Sequence, residues 1–496
     1  MPQAVLAVAA KIGVAVWAAT GSAILTNIAA YGFVIGAAYL AVKSYQALMP
    51  KAGAVDVNRN AILELTTSGK QVGRVVYGRA RVGGYLAAPP MVSGTNNKYL
   101  WFIVVFAAHE IDSYEKIYIG DTELDASTDF DANDDCTDAA FIDSASNKLL
   151  RVIFYDGTQT AVDPDWDAAF ASVGTNHKLQ GLAYCVLRLT QDETGDAVPV
   201  WPGLQPPRQF SVRIKGKKVH DSRVPTDAWS ENPALCVRDY LTNTDYGLGE
   251  PTARIDDVAF EAAADICEES VTVKDNVGGT TTQDRWTCNG ILSTGTAPTD
   301  NLETLASSMG GAVAFVGSGK WRAWAAAYST PAHALDENDL SGPVKVVPQA
   351  PAENRFNLVT GNYVALDRGA VPIPFPARTN TTYETDDGGV ELRRDFTYAM
   401  TDDTQRAQRL AVLALKQSRN WTTCEIRCNL RAFKVELFDT ITLTIAELGW
   451  TTKVFRVIGW KYDGEAVVLM LKSDSSAAYD VTAATDLDDD PAPTTV

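Results

Sequence analysis

Two short stretches, WSENPA at Trp229–Ala234 and YGLG at Tyr246–Gly249, decide how this chain folds. Asn232 stands immediately before Pro233, an arrangement that favours the start of a helix. The asparagine side chain can cap free backbone N–H groups, and proline loses nothing at the first helical position because its missing N–H would be unpaired there. The second stretch begins thirteen residues after Pro233. The pair therefore predicts a helix that starts at a fixed residue in the middle of the chain.

Outward from these stretches, the middle of the chain predicts further helices and both flanks predict strands. Helices are expected near Asp256, from Thr299 or Asp300 to Met309, and over 403–418, because apolar residues recur there every three or four positions. Tyr99–Ala107 is typical of a strand, as are several β-branched or aromatic runs bounded by Gly, Asn and Asp. The pattern predicts an α+β fold in which β structure dominates.

Composition bounds the size and the partners of the chain. Its 496 residues are enough for three or four units of ordinary size. With 46% apolar and 21% charged residues it is a globular protein rather than a disordered one. The formal net charge of −18 repels phosphate, so we do not expect the chain as a whole to bind nucleic acid with high affinity.

Residues that carry chemistry are sparse, and we predict neither an enzyme nor a cofactor or metal site. The seven cysteines are scattered and include no CxxC pair, and only four histidines are present. No GxSxG, HExxH or GxxxxGK[ST] motif occurs. The acidic stretch 129–135 opens like a calcium loop but has Asp134 in place of the sharp-turn glycine, and His109-Glu110 is typical of an ordinary surface pair.

The first fifty residues differ from the rest of the chain. No charge occurs between Lys11 and Lys43, a run long enough for one membrane-spanning helix or two short ones. Gly32 and Gly36 have the GxxxG spacing that lets helices approach closely. Trp17 and Tyr39 have side chains that suit a membrane interface. We expect this segment to be helical, and two alternatives remain open for it: burial within an oligomer, against its own copies, or entry into a membrane.

The order of several motifs along the chain carries a resemblance to a known family. VVYGRARVGG at 75–84 comes first, followed by YDGT at 155–158, LQGLAY at 179–184, and then the WSENPA and YGLG stretches. This order resembles the tail-tip, or host-specificity, proteins of lambda-like long-tailed bacteriophages over roughly residues 70–470. The motif residues that the resemblance marks as structural are Tyr77, Gly78, Arg81, Gly83, Gly181, Tyr184, Trp229, Asn232, Pro233, Tyr246, Gly247 and Gly249.

The resemblance implies a structural virion protein at the distal end of the tail, assembled in the host cytoplasm. Hubs of that family are homotrimers in which each chain supplies two related β-barrels that resemble the tail tube. They close the tube and open for DNA ejection, and they contact the distal tail ring, neighbouring tip proteins and the tape-measure protein. The implied domains are an apolar helical segment 1–52, a first barrel 53–200, a mixed helical region 201–345, a second barrel 346–475 with its helix 403–418, and an acidic, disordered tail 476–496.

The chain departs from many members of that family. It lacks the long fibronectin-like and fibre regions that often bind receptors, so we expect a separate fibre or receptor-binding protein. We also expect the apolar N-terminal segment to enter the host membrane upon triggering. Two rival functions are a permanent membrane protein with a β-rich body and a tail-associated cell-wall hydrolase, which would need a convergent pair of acids in a cleft.

Overall fold

A computed structural model describes residues 72–120, 122–192, 194, 210–275, 278–348 and 355–489. In this part of the chain strands are more numerous than helices, and the fold is α+β with β structure dominant, as predicted. The apolar N-terminal segment 1–52, with Trp17, Gly32, Gly36 and Tyr39, lies outside the described residues. Within the described ranges no helix is both long and apolar enough to cross a membrane.

Strands and α-helices are numbered separately in chain order. The strands are β1 (Arg74–Tyr77), β2 (Arg79–Gly83), β3 (Tyr85–Leu86), β4 (Met91–Ser93), β5 (Tyr99–Ala107), β6 (Ser113–Ile119), β7 (Thr122–Asp125), β8 (Leu150–Tyr155), β9 (Ala183–Thr190), β10 (Phe210–Lys215), β11 (Lys218–Val219), β12 (Ala228–Trp229), β13 (Ser270–Lys274), β14 (Thr280–Asp284), β15 (Gly290–Ser293), β16 (Ala312–Phe315), β17 (Trp321–Trp324), β18 (His333–Leu335), β19 (Lys345–Val347), β20 (Leu358–Ala365), β21 (Val371–Pro374), β22 (Arg378–Thr379), β23 (Arg393–Tyr398), β24 (Thr423–Cys428), β25 (Thr440–Ile445), β26 (Trp450–Tyr462) and β27 (Val467–Ser473). The α-helices are α1 (Pro164–Ala169), α2 (Pro233–Thr242), α3 (Asp257–Glu268), α4 (Pro298–Ser307), α5 (Thr381–Asp386), α6 (Thr404–Gln417) and α7 (Ala483–Asp486).

The N-terminal part consists of two sheets that face each other across one apolar core. A four-stranded sheet has the order β2-β10-β6-β7, and a five-stranded sheet has the order β3-β5-β9-β8 with β4 also paired to β5. Strand β5 is apolar throughout because both of its faces are buried. Phe102 and Val104 point into the core between the sheets, while Trp101 and Ile103 pack against Trp166 of α1 on the other side.

The helical middle packs onto the C-terminal part rather than standing apart from it. Helices α2, α3 and α4 share one core with α6 and the sheet that contains β20, with side chains such as Tyr240, Phe260, Leu305 and Leu410. In that sheet β20 pairs in parallel with β23 and antiparallel with β21 and β22. Since one continuous core joins these elements, the helical middle and the sheet that contains β20 pack as one unit.

The C-terminal part contains a six-stranded sheet with the order β18-β25-β26-β27-β24-β19. Alternate residues of β24, including Cys424, Ile426 and Cys428, point into its core. Within the described residues this strand order is open at both ends, and so are those of the two N-terminal sheets. The two tube-like barrels that the family resemblance implies therefore stay a prediction.

The acidic tail differs from the expectation of disorder as far as residue 489. Its first residues form a 3-10 helix at Ser476–Ala478 and then α7, and Ala483 and Leu487 are buried against Val271 and Val273 of β13. Leu487 lies between acidic residues, and burial of its apolar side chain against a strand stabilises this part of the tail. Residues 490–496 lie outside the described part of the chain.

Candidate functional site

The motif junction is the place where three motifs far apart in sequence meet, and it comprises Tyr77, Gly78, Trp229, Asp239 and Tyr246. The Tyr77 hydroxyl donates a hydrogen bond of 2.6 Å to Oδ2 of Asp239, and the Tyr246 hydroxyl donates one of 2.7 Å to the same atom. Nε1 of Trp229 donates to the Gly78 carbonyl at 3.2 Å. The junction thereby joins β1, which pairs with β15, to helix α2 and the loop that follows it.

Helix α2 begins at the predicted residue for the predicted reason. The side chain of Asn232 accepts a hydrogen bond from the Ala234 N–H at 3.0 Å, and Pro233 occupies the first turn. The side-chain amide of Asn232 also donates to the Ala264 carbonyl at 3.0 Å and to Glu268 at 2.8 Å. One buried asparagine therefore caps α2 and ties it to α3, a second role that its sequence position does not reveal.

The YGLG stretch folds back over the end of α2. The Leu248 N–H donates to the Tyr240 carbonyl at 3.0 Å, and the Gly249 N–H donates to the Asn243 carbonyl at 3.0 Å. A Cβ at Gly247 would lie 2.0 Å from the Tyr240 carbonyl oxygen, so only glycine fits there. This close return is what places Tyr246 beside Asp239.

Gly78 allows the corresponding close approach from the N-terminal side. Its φ is +59°, and a Cβ would lie 2.1 Å from the Cys288 carbonyl oxygen and from Oδ1 of Asn289. That Oδ1 atom accepts a hydrogen bond of 2.7 Å from the Arg79 N–H. Asn289 in turn donates its own N–H to the Met400 carbonyl at 2.8 Å, which extends the contact to the C-terminal part.

The Arg79 side chain also connects β6 to the WSENPA stretch. The guanidinium forms ion pairs of 3.0 Å with Glu115 of β6 and with Glu231 of the WSENPA stretch. It also lies over the ring of Trp229, 4.8 Å from the ring centroid. Since the side chain is 35% exposed, the ion pairs are partly screened by solvent, and stacking on the tryptophan supplies an additional contact.

His109 is buried beside the junction, so the prediction of a surface pair is wrong for this residue. Its Nε2 accepts a hydrogen bond of 2.8 Å from the Val76 N–H, and its Nδ1 lies 2.7 Å from the Glu110 carbonyl. The ring is also 5.9 Å from that of Tyr246. Burial lowers the pKa of His109 to about 4, so the imidazole is neutral, with its proton on Nδ1. A neutral imidazole can pair two backbone groups that would otherwise be buried without partners.

Burial also controls the charges within the junction. It raises the pKa of Asp239, and the hydrogen bonds from Tyr77 and Tyr246 oppose that rise. It raises the pKa of both tyrosines as well, so their hydroxyls remain donors. The groups therefore hold two parts of the chain together, and none of them is aligned as a nucleophile beside a base.

The other motif residues lie away from the junction. Nε of Arg81 donates to Ser211 at 2.9 Å, its guanidinium lies 3.7 Å from the Tyr118 ring centroid, and Gly83 pairs with Ser211 across β2 and β10. Gly181 has φ of +78° at the turn before β9, and Tyr184 stacks on Tyr155 with ring centroids 4.6 Å apart. The structure thus divides the predicted residues between the junction and two structural positions in the N-terminal sheets.

Sequence reasoning missed Asp239, Asn289 and the burial of His109. Nothing local distinguishes them, because each has at least one partner more than thirty positions away. For the acidic loop 129–135, the side chain of Lys148 pairs with Asp131. Among the residues that the structure describes, no group of His, Cys, Asp and Glu side chains could hold a metal ion.

Comparison with known proteins shows what the chain is similar to. No protein-family model matches it. It is 25% identical over 460 residues to baseplate hub protein pb3 of Escherichia phage T5, in an alignment that covers 77% of this chain and 45% of pb3. The chain thus spans less than half the length of that relative.

A solved structure of a virion shares the fold. A chain in the virion of a native gene transfer agent particle superposes with a TM-score of 0.57 at 17% identity, covering 95% of this chain and 99% of that one. A tail protein of prophage MuSo2 from Shewanella oneidensis is 11% identical and covers 84% of this chain and 98% of its own, with a TM-score of 0.30 that is too low to carry an argument.

The chain is thus similar in sequence to a baseplate hub protein of a phage and similar in fold to a chain of a virion particle. The relative that the chain matches by sequence is named as a baseplate hub protein and not as an enzyme, in agreement with the prediction that this chain is not an enzyme. The more specific likeness to lambda-like host-specificity proteins, with what it implies for assembly, belongs to the proposal that follows.

Proposed function

We propose that this chain is the hub at the distal end of a long phage tail, as in the lambda-like host-specificity proteins, where three copies surround and close the channel. The observation that carries the proposal is the similarity to a baseplate hub protein over 460 residues. In this proposal residues 53–200 and 346–475 supply the two tube-like units, and the region 201–345 connects them. The apolar cores of the N-terminal sheets and of the six-stranded sheet are compatible with two such units.

The motif junction gives the hub its internal rigidity. It fixes β1 to α2 through Asp239, and Asn289 continues the contact to Met400 beyond β23. A ring that must stay closed until it is triggered needs such fixed connections between its parts, and buried, fully bonded polar groups specify one arrangement.

The charge of the chain suits a DNA conduit. At −18 per chain, three copies carry three times that charge, or −54. Negative walls keep the polyanion from adhering while it passes. The partners in this proposal are two further copies of the chain, the distal tail ring, other tip proteins, the tape-measure protein and a separate receptor-binding fibre.

Cryo-electron microscopy of the particle tests the hub proposal. We expect three copies around a channel at the end of the tail tube. A single copy, or copies distributed along the tube wall, would contradict it.

We further propose that the apolar N-terminal residues enter the host membrane during DNA ejection. The support is the absence of charge between Lys11 and Lys43. A peptide of residues 1–50 is expected to float with liposomes in a density gradient. A peptide that stays in the aqueous fraction at every lipid composition would contradict the membrane step and leave the hub proposal intact.

A further inference from the structure

The described end of the chain lies along a groove that has the chemistry of a peptide-binding site. The clasp segment, residues 480–489, passes over an acid-binding groove formed by Lys274, Arg378, Gln405, Gln408 and Lys416. We propose that this groove binds an acidic, extended peptide, that the clasp segment occupies it in cis, and that a partner protein displaces the clasp with a segment of the same chemistry.

Cations of the groove meet three carboxylates of the clasp. Nζ of Lys416 lies 2.8 Å from Oδ2 of Asp486, and Nζ of Lys274 lies 3.6 Å from Oδ1 of Asp489. Arg378 forms an ion pair with Asp488. The cations come from α6, β13 and β22, so the groove is assembled by the fold and not by one local run of basic residues.

Two buried glutamines recognise the backbone of the clasp. Gln405 donates to the Asp488 carbonyl at 2.7 Å, and Gln408 both donates to that carbonyl at 3.2 Å and accepts from the Asp488 N–H at 2.7 Å. Gln405 is 3% exposed and Gln408 is fully buried. Buried amides are costly without partners, and here a peptide backbone supplies them. Recognition of a backbone N–H and C=O together selects a peptide over a nucleic acid.

An apolar contact lies between the two acidic positions. Leu487 is 1% exposed and is buried with Val271, Val273 and Ala483. The buried leucine and the ion pairs together define the sequence that suits the groove: a leucine-like residue flanked on both sides by carboxylates. A cavity of ≈ 260 Å³ beside the clasp, lined in part by Val412 and Thr485, leaves room for a larger peptide side chain.

The ion pairs that hold the clasp are exposed enough for another peptide to replace it. The side chains of Asp488 and Asp489 are 59% and 57% exposed, so salt and solvent screen their ion pairs. The clasp is covalently attached, however, and its effective concentration at the groove is on the order of millimolar. A free peptide therefore competes poorly with the intact clasp and binds well once the clasp is repelled.

The test uses the full chain with the clasp carrying Asp486→Lys and Asp488→Lys. Lysines at these positions face Arg378 and Lys416, so the clasp leaves the groove open. The probe is a fluorescein-labelled peptide of residues 480–489, followed by fluorescence anisotropy. We expect the opened chain to bind it at least about tenfold more tightly than the wild-type chain.

Controls separate the groove from non-specific attraction. Asp386→Lys with Glu447→Lys makes the same charge change at exposed positions outside the groove and is expected to leave peptide binding at the wild-type level. Adding Arg378→Glu and Lys416→Glu to the opened chain is expected to abolish binding. A scrambled peptide of the same composition is expected to bind at least about tenfold more weakly, because the leucine then loses its position.

Three results would overturn the proposal: no gain of binding in the opened chain, equal binding of the scrambled peptide, or tighter binding of a single-stranded oligonucleotide than of the peptide. Leu487→Ala loosens the clasp without changing charge and must also increase peptide binding. That second variant keeps the test decisive if circular dichroism shows that the lysine variant does not fold.

Discussion

Replacement of Gly78 by alanine tests whether the motif junction depends on close contact or on backbone conformation alone. At φ of +59°, an alanine costs roughly 1–2 kcal/mol relative to its preferred conformations. Its Cβ would also lie 2.1 Å from the Cys288 carbonyl oxygen, which cannot move without disturbing β15. Relief of that contact displaces the Gly78 carbonyl, which accepts from Trp229 at 3.2 Å and from the Gly216 N–H at 2.8 Å.

The clash adds a cost that can be estimated from these bonds. Two hydrogen bonds of about 0.5–1.5 kcal/mol each give about 1–3 kcal/mol beyond the conformational cost. A loss of 1.4 kcal/mol corresponds to a factor of ten in an equilibrium constant, so the clash alone should raise the opening equilibrium of this contact about 5- to 150-fold, on top of the conformational cost.

Hydrogen exchange of the Gly216 amide is the appropriate assay, because it reports the opening of this contact and does not require the whole chain to unfold. Gly449→Ala is the matched control, since φ is +65° there and an added Cβ meets nothing within 4 Å. We expect the loss of protection at Gly216 in Gly78→Ala to exceed, by that factor, the loss that Gly449→Ala causes at its own amide, which donates to the Ala446 carbonyl at 3.0 Å. Equal losses in the two variants would refute the steric explanation.

Four further predictions concern acid stability, two helix starts and the thiols. The pKa of His109 is about 4 in the folded chain and has its ordinary value of 6.5 in the unfolded chain, so the unfolded chain takes up a proton first as the pH falls. Stability is therefore lost between about pH 6.5 and about pH 4, by about 3 kcal/mol, and the urea midpoints of His109→Gln should lose that dependence. Asn232→Ala removes the cap of α2 and two further hydrogen bonds, and should lower stability by about 2–4 kcal/mol; an unchanged thermal midpoint would contradict this. Ala297 precedes α4 without a side-chain cap, so Ala297→Ser should raise stability by about 0.5–1 kcal/mol in the same melting experiment. All seven cysteines are buried, so Ellman's reagent should label the native chain slowly and all seven thiols once it is denatured; rapid labelling of the native chain would count against this packing.

The sequence by itself determined the features that depend on neighbours along the chain. The start of α2 at Asn232-Pro233, the helix over 404–417 and the doubly buried strand at Tyr99–Ala107 follow from capping chemistry and from the spacing of apolar residues, which act over a few positions. The absence of the catalytic motifs named above can also be read directly from the sequence, and it agrees with the name of the relative, a baseplate hub protein.

Only the tertiary structure decided which distant residues meet. Asp239 joins Tyr77 to Tyr246 although Tyr77 is 162 positions away, and His109 is buried although its sequence neighbours suggest a surface. The acidic tail was predicted to be disordered from its charge, yet residues up to 489 are bound because Gln408 and other groups from remote elements satisfy their backbone and their charges. Local patterns cannot specify such pairings, since the free energy that selects them arises from burial and hydrogen bonding between elements that the fold alone brings together.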